Sequence, residues 1–560
     1  MMSRGVVSEA AWYKLAGGLG MAVSVGAVFS FGALSPEFMK LTNCSSEEAS
    51  SIGLAGLVGF GFYVLPGLSF DRFGTRFGFI VGVCLAILGL GGASVALVLR
   101  SSYVVVAIFW ACAGHAMAWL LCANLLSNVK SWEPGARGYV VGSLQAFSGA
   151  SAPLFIGIWR SDLFGAKSLV PFLLFILAWT LCSVAIAVLT GGGTDDLQEA
   201  GIFDAKSKHR FYRLQLYIAA LLVLIVAAGL ATQTQDWASY VIVAALFAGV
   251  PAVLFLFREK RSQLDDRVKD PHEDVDDKDK DEAVITLAAP VEEGGGLVEP
   301  LLPSPPQDIE PLAALGPLWI EFWELFLVFA ILTGGALSTS ISMVSIARSL
   351  GTCEFATISA FSLTLLTASD AFARMSGGVL INSKTLDGSL VLAAGALFLG
   401  ASHTAFSAAH GLNLHQGPFS TPRAYLFLAA AAMSGAADGF AWSACPWLTQ
   451  ARFGAARYGN NFGIVALAAI IGQTLFLKAI QPIGDVPSDD DDRHPSSFRC
   501  ATIDDDDDES CYGGNCFSVF HRTCQAAALV ALLGALDLER RRRNRLQSII
   551  HKDGSSIISS

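Results

Sequence analysis

Gly67-Leu68-Ser69-Phe70-Asp71-Arg72-Phe73-Gly74-Thr75-Arg76 is the stretch on which the fold turns. It is a short polar hinge between two apolar runs, 49–70 and 77–99. Each run is long enough to cross a bilayer as a helix, which takes roughly 20 residues. So short a connection predicts two antiparallel neighbours with Arg72 and Arg76 at one membrane face. Arginine and lysine favour the cytoplasmic face.

The rest of the chain agrees. Its 560 residues are 53% hydrophobic and only 15% charged, and its mean hydropathy is +0.53. A soluble chain of this length carries far more charge. Repeated apolar runs instead predict an all-α polytopic membrane protein, because helices satisfy their own backbone in lipid. Fourteen spans are read: 12–34, 49–70, 77–99, 102–126, 137–159, 167–190, 212–231, 237–257, 319–347, 355–381, 387–408, 423–449, 457–482 and 517–537. The first is long enough to stay in the membrane, and no cleavable signal pattern is expected. An even number puts both termini on one side. Most of the 37 lysines and arginines fall on that side, including Arg540, Arg541, Arg542, Arg543 and Arg545 after the last span. Both termini are therefore expected in the cytoplasm.

Much of the acid behind the net charge of −11 lies in two loops, 265–310 and 485–509, and neither suggests a nucleic-acid partner. Loop 258–318 is charged and then Pro-rich, which predicts a disordered cytoplasmic segment. The aspartates at 489–492 and 504–508 predict a solvated acidic outer loop within 483–516. Of the 11 cysteines, Cys500, Cys511 and Cys516 share that loop, where a disulfide is plausible in an oxidising space. The sequon Asn43-Cys44-Ser45 falls in an outer loop.

The chain also repeats itself. Ala118-Trp119-Leu120-Leu121-Cys122 recurs as Ala441-Trp442-Ser443-Ala444-Cys445, and Gly32-Ala33-Leu34-Ser35 as Gly335-Ala336-Leu337-Ser338. Two fainter echoes keep the same order. Spans 1–6 thus pair with spans 9–14, and spans 7 and 8 are inserted between two halves. The domains are expected at 1–190, 191–257 (two inserted helices), 258–318, 319–537 and 538–560, the last a basic cytoplasmic tail.

The pattern of Gly67, Asp71, Arg72, Gly74 and Arg76 resembles the signature loop between helices 2 and 3 of the major facilitator superfamily. The run 26–74, Pro134-Gly135-Ala136-Arg137-Gly138-Tyr139 and Arg374-Met375-Ser376-Gly377-Gly378 resemble its nodulin-like branch. The resemblance implies two six-helix bundles with two inserted central helices. It also implies a midplane site and secondary transport of a small-molecule substrate by a lipid-embedded monomer. The five signature residues would then gate the inner side.

Ionisable groups within spans are costly and commonly line a cavity or pair with one another. His115 and Asp438 each lie four residues before the tryptophan of their repeat, Trp119 and Trp442. The repeat puts them on opposite walls of the expected cavity, as a proton-coupling pair; hydrogen bonding to a neighbouring helix explains them equally. Asp370 and Arg374 are i, i+4 on one helix and can pair. Their Asp-x-x-x-Arg spacing resembles a monocarboxylate porter helix, which implies a carboxylate at Arg374 and proton coupling. The lysine those porters carry in the first helix is missing from 29–35. An inner-gate pair is the alternative for Asp370 and Arg374. Asn124, Gln145, Asn460, Asn461 and Gln473 fit helix-to-helix hydrogen bonds as well as substrate contacts. No P-loop, no zinc spacing and no nucleophile constellation is present, so no enzyme and no cofactor is expected. A transporter-like nutrient sensor acting through loop 258–318 is the alternative function, as is a uniporter of a neutral or amino-acid solute.

Overall fold

A computed structural model describes residues 4–160, 168–192, 205–231, 240–241, 317–350, 355–382, 386–411, 422–480 and 517–558. These residues are helical almost throughout. Ten stretches among them are long and apolar enough to cross a membrane. The eighth span read from the sequence, loop 258–318, the acidic outer loop and its three cysteines fall almost wholly outside the described residues.

The first half runs α1 Arg4–Ala22, α2 Gly26–Phe29, α3 Phe31–Thr42, α4 Ser46–Gly61, α5 Val64–Ala86, α6 Gly92–Val98, α7 Tyr103–Lys130, α8 Arg137–Arg160 and α9 Leu169–Ala187. Helix α10, Ala205–Ala231, follows. The second half runs α11 Pro317–Ile341, α12 Met343–Arg348, α13 Phe355–Asn382, α14 Gly388–Gly411, α15 Pro422–Phe453, α16 Tyr458–Ile480 and α17 Ser518–Ile558.

The opening hinge is tighter than its polarity suggests. The chain stays helical to both sides of Gly74, which alone takes φ 76° and ψ −173°. That region is closed to any residue with a Cβ, so one glycine does what a ten-residue loop was expected to do. A second discontinuity, at Phe62 and Tyr63, separates α4 from α5 inside the predicted second span. Phe62 sits at φ −78°, ψ 66°. The Tyr63 N–H donates to Gly61 O at 2.8 Å instead of continuing the helix to Gly59.

The two halves meet along two seams, α5 with α16 and α8 with α13. Both are built on glycine. A Cβ on Gly378 of α13 would lie 2.7 Å from Gly142 Cα of α8, and one on Gly67 of α5 would lie 2.8 Å from the carbonyl carbon of Gly459 in α16. Without side chains between them the backbones touch, as small residues allow in membrane bundles. Helix α10 packs on α8 and α13 together. Phe211 enters a box of Trp12, Trp132 and Tyr139, and Gln215 donates to Ser143 Oγ at 2.8 Å.

The chain beyond residue 537 is not a free tail. Helix α17 continues unbroken to Ile558. Its arginines are drawn against the second bundle by Glu321, Glu324 and Asp387.

Candidate functional site

Arg374 stands in the last third of α13, about two turns before its end, where that helix faces α8 and α15. Four side chains, from α8, α13 and α15, surround it. Its Nε donates to Asp370 Oδ1 at 2.7 Å, one turn back on α13. Nη1 donates to Gln145 Oε1 on α8 at 3.1 Å, across the boundary between the halves. Nη2 donates to Asp438 Oδ2 on α15 at 3.1 Å. The guanidinium carbon lies 5.5 Å from the Trp442 ring centroid, a cation–π arrangement. Gly439 and Gly149 make this possible: side chains there would collide with the Asp370–Arg374 turn and with Asp370 and Ala371.

The cluster is dry. Arg374 and Asp370 are each 7% exposed, Asp438 5% and Gln145 0%. A buried charge is tolerated only when paired and hydrogen-bonded. Here one guanidinium faces two carboxylates, so without a proton the group is one positive charge short, and the hydrogen bond between the Asp370 and Asp438 side chains is where one is held. Asp438 Oδ1 and Gln145 Nε2 have no hydrogen-bond partner.

Arg374, Asp438 and Trp442 line a cavity with Phe29, Phe60 and Gln473. Its free volume, about 20 Å³, is room for a water or two and not for an organic solute. Phe29 and Phe60 form an edge-on pair at 5.1 Å. Gln473 Nε2, also without a partner, is 3% exposed.

The signature residues sit elsewhere, at the end of the bundles where α5 meets α16. Asp71 Oδ1 accepts from Gly459 N–H at 3.0 Å and Oδ2 from Asn460 N–H at 2.7 Å. These are the first residues of α16, whose N–H groups lack helical partners and carry the positive end of the helix dipole. One carboxylate of the first half thus caps a helix of the second. Lys130 Nζ lies 3.8 Å from Asp71 and Arg72 lies over Phe73 at 5.2 Å. Gly67 lies against Gly459, and Gly74 supplies the turn.

His115 is placed apart from Asp438. Its Nδ1 is 3.2 Å from Gly59 O, and Trp119 Nε1 donates to its Nε2 at 2.9 Å. Since Nε2 accepts, Nδ1 carries the hydrogen and donates to Gly59. That carbonyl loses the Tyr63 N–H at the break and keeps only a long bond, 3.4 Å, from Phe62 N–H. His115 and Trp119 therefore brace the discontinuity, while Asp438 and Trp442 join Arg374. The two repeat-equivalent pairs differ because α4 breaks and its counterpart α13 does not. Gln145 is the site residue that sequence reasoning left undecided; nothing in its surroundings separates it from a packing glutamine.

Residues 11–257 match the Nodulin-like family model. No curated protein matches the chain. Among solved structures it resembles the major facilitator proton:xylose symporter XylE bound to 6-bromo-6-deoxy-D-glucose, at 13% identity and TM-score 0.52 over 93% of this chain and 94% of that one. It also resembles a bacterial homologue of the iron transporter ferroportin, outward-facing with soaked iron, at 12% identity and TM-score 0.50 over 95% of this chain and 99% of that one. Residues 11–257 thus match the Nodulin-like family model, and the chain as a whole has the fold of major facilitator transporters of known structure.

Proposed function

We propose that the protein is a secondary transporter of a small organic solute, working by alternating access with the proton as coupling ion. The observation that carries this reading is the Arg374–Asp370–Asp438–Gln145 cluster. It is buried, drawn from both bundles, one positive charge short, and open on one side to a cavity. A structural ion pair has no need of a spare carboxylate oxygen beside a void. A proton is the smallest cation able to make up the missing charge.

The positive-inside rule assigns the Asp71 end to the cytoplasm. The Asp71 cap and the two glycine seams then hold the inner side shut, and losing the cap favours the opposite state. The small cavity is that of a closed form, which must open to admit cargo. A carboxylate cargo is the second reading. Two of the five Arg374 N–H groups donate to no protein atom, and a planar fork suits a carboxylate. The test is uptake into proteoliposomes containing the purified chain, across a panel of radiolabelled solutes, with and without a proton gradient. Gradient-dependent uptake that Arg374→Ala abolishes supports the proposal. Uptake equal in the two proteins removes the cluster from the pathway.

A further inference from the structure

The charge and hydrogen-bond balance of the cavity speaks to the class of cargo. Arg374 meets two carboxylates and so presents no net positive charge. The polar atoms with no partner at all at the cavity are an acceptor, Asp438 Oδ1, and the amide nitrogen of Gln473, and Arg374 keeps two unused N–H groups beside its three hydrogen bonds. Both residues are more than nine-tenths buried. The remaining wall is aromatic, with Phe29, Phe60 and Trp442. An anion entering here would meet two carboxyl groups against one guanidinium in a low-dielectric setting, where like charges repel strongly. A cation would meet a free oxygen and ring faces.

We infer that this cavity takes an organic ammonium ion, with Asp438 Oδ1 as its counter-charge, and that proton and ammonium compete for that one carboxylate. The inference rests on the transporter reading above. It makes transport an exchange: the proton leaves Asp438 as the ammonium arrives and returns after the ammonium departs. The other ionisable groups around Asp438 are few. Asp370 and Arg374 face it from α13. Tyr63, at the start of α5, lies 6.4 Å from Trp442 between ring centroids. Cys122 is buried on α7, and His115 on the same helix is engaged with Gly59. Helices α8 and α16 present only the amides Gln145 and Gln473. A fixed positive charge, as in a quaternary ammonium, is the sharpest probe because it cannot lose a proton itself.

The experiment uses the full chain in proteoliposomes, with radiolabelled choline and tetraethylammonium as cations, lactate as anion and glucose as neutral solute. The expected result is uptake of the quaternary ammonium ions, accelerated by an acidic lumen. Apparent affinity should weaken about tenfold per unit of pH on the acid side, the slope of one-for-one competition. Asp438→Asn should abolish uptake, and Asp438→Glu should restore part of it with a shifted pH profile. Ammonium binding to detergent-solubilised protein should also release about one proton in weak buffer, and none from Asp438→Asn. Lactate or glucose uptake dependent on Arg374, with no ammonium uptake, overturns the inference and leaves the transporter reading standing. Ammonium uptake indifferent to pH and to Asp438→Asn overturns it as well. No uptake of any probe, with no proton release, overturns both.

Discussion

Two arginines in this protein are buried to nearly the same degree, and they do different things. Arg452 lies at the base of the second bundle. It donates to Glu321 at 3.3 Å, to Asp387 at 3.2 Å, to Ser389 at 2.6 Å and to the Leu538 carbonyl at 3.1 Å. Arg541, Arg542, Arg543 and Arg545 add charge from α17, and Glu324, Asp537 and Glu539 answer it. Every partner belongs to the second half. Arg374, by contrast, reaches across to the first half through Gln145, leaves an Asp438 oxygen unpaired and borders a cavity. The Arg452 network is balanced in charge and lies within one half, and it holds a helix in place, although Glu324 Oε2 in it also lacks a hydrogen-bond partner. The Arg374 cluster is short of one charge and half open. Residue type, burial and an unused polar atom do not separate the two clusters; charge balance, reach across the halves and an adjoining cavity do.

The largest effect on stability is expected from Arg452→Ala. Removing one partner from a buried network strands the others, at about 3–5 kcal/mol. The melting temperature in detergent should drop sharply, and an unchanged one would dissolve the contrast. Arg374→Ala should instead cost function: loss of a buried charge partner weakens binding by on the order of 2–5 kcal/mol, read as lost uptake. It should destabilise less than Arg452→Ala, because the cavity lets water or protons reach the stranded acids. Asp71→Asn keeps the shape of the α16 cap and removes its charge, worth about 1 kcal/mol at a helix N-terminus. A spin-label pair across the Gly67–Gly459 seam should show the closed population falling about fivefold. His115→Ala should matter least to uptake. It removes two hydrogen bonds, about 1 kcal/mol each, and should leave the pH profile of uptake in place. A changed profile would return His115 to the coupling pathway.

Local features were legible in the sequence. The glycines and charges at 67–76 mark a helical hairpin, and the i, i+4 spacing of Asp370 and Arg374 gives their ion pair. The repeat places Asp438 on α15. Convergence was not legible. Gln145 and Arg374 lie 229 residues apart, and an uncharged glutamine in an apolar helix carries no mark of its partner. The arginines after residue 538 read as a basic cytoplasmic tail, and their partners were not legible because Glu321 and Asp387 are remote in sequence and only folding brings them underneath. The expected pairing of His115 with Asp438 rested on symmetry between the halves. That symmetry fails at Phe62, where one helix is broken and its counterpart continuous, and no residue at 59–63 announces the break.

Asp438→Asn separates the two roles most directly. The change is nearly isosteric and removes the surplus negative charge, so a purely structural cluster would be as stable or more so and would keep its flux. Melting temperature and proteoliposome uptake of the ammonium, carboxylate and neutral probes should be measured on the same preparations. The expected result is a melting temperature at or above wild type with uptake lost. Uptake at the wild-type level with an intact fold would contradict the assignment of this cluster as the transport centre.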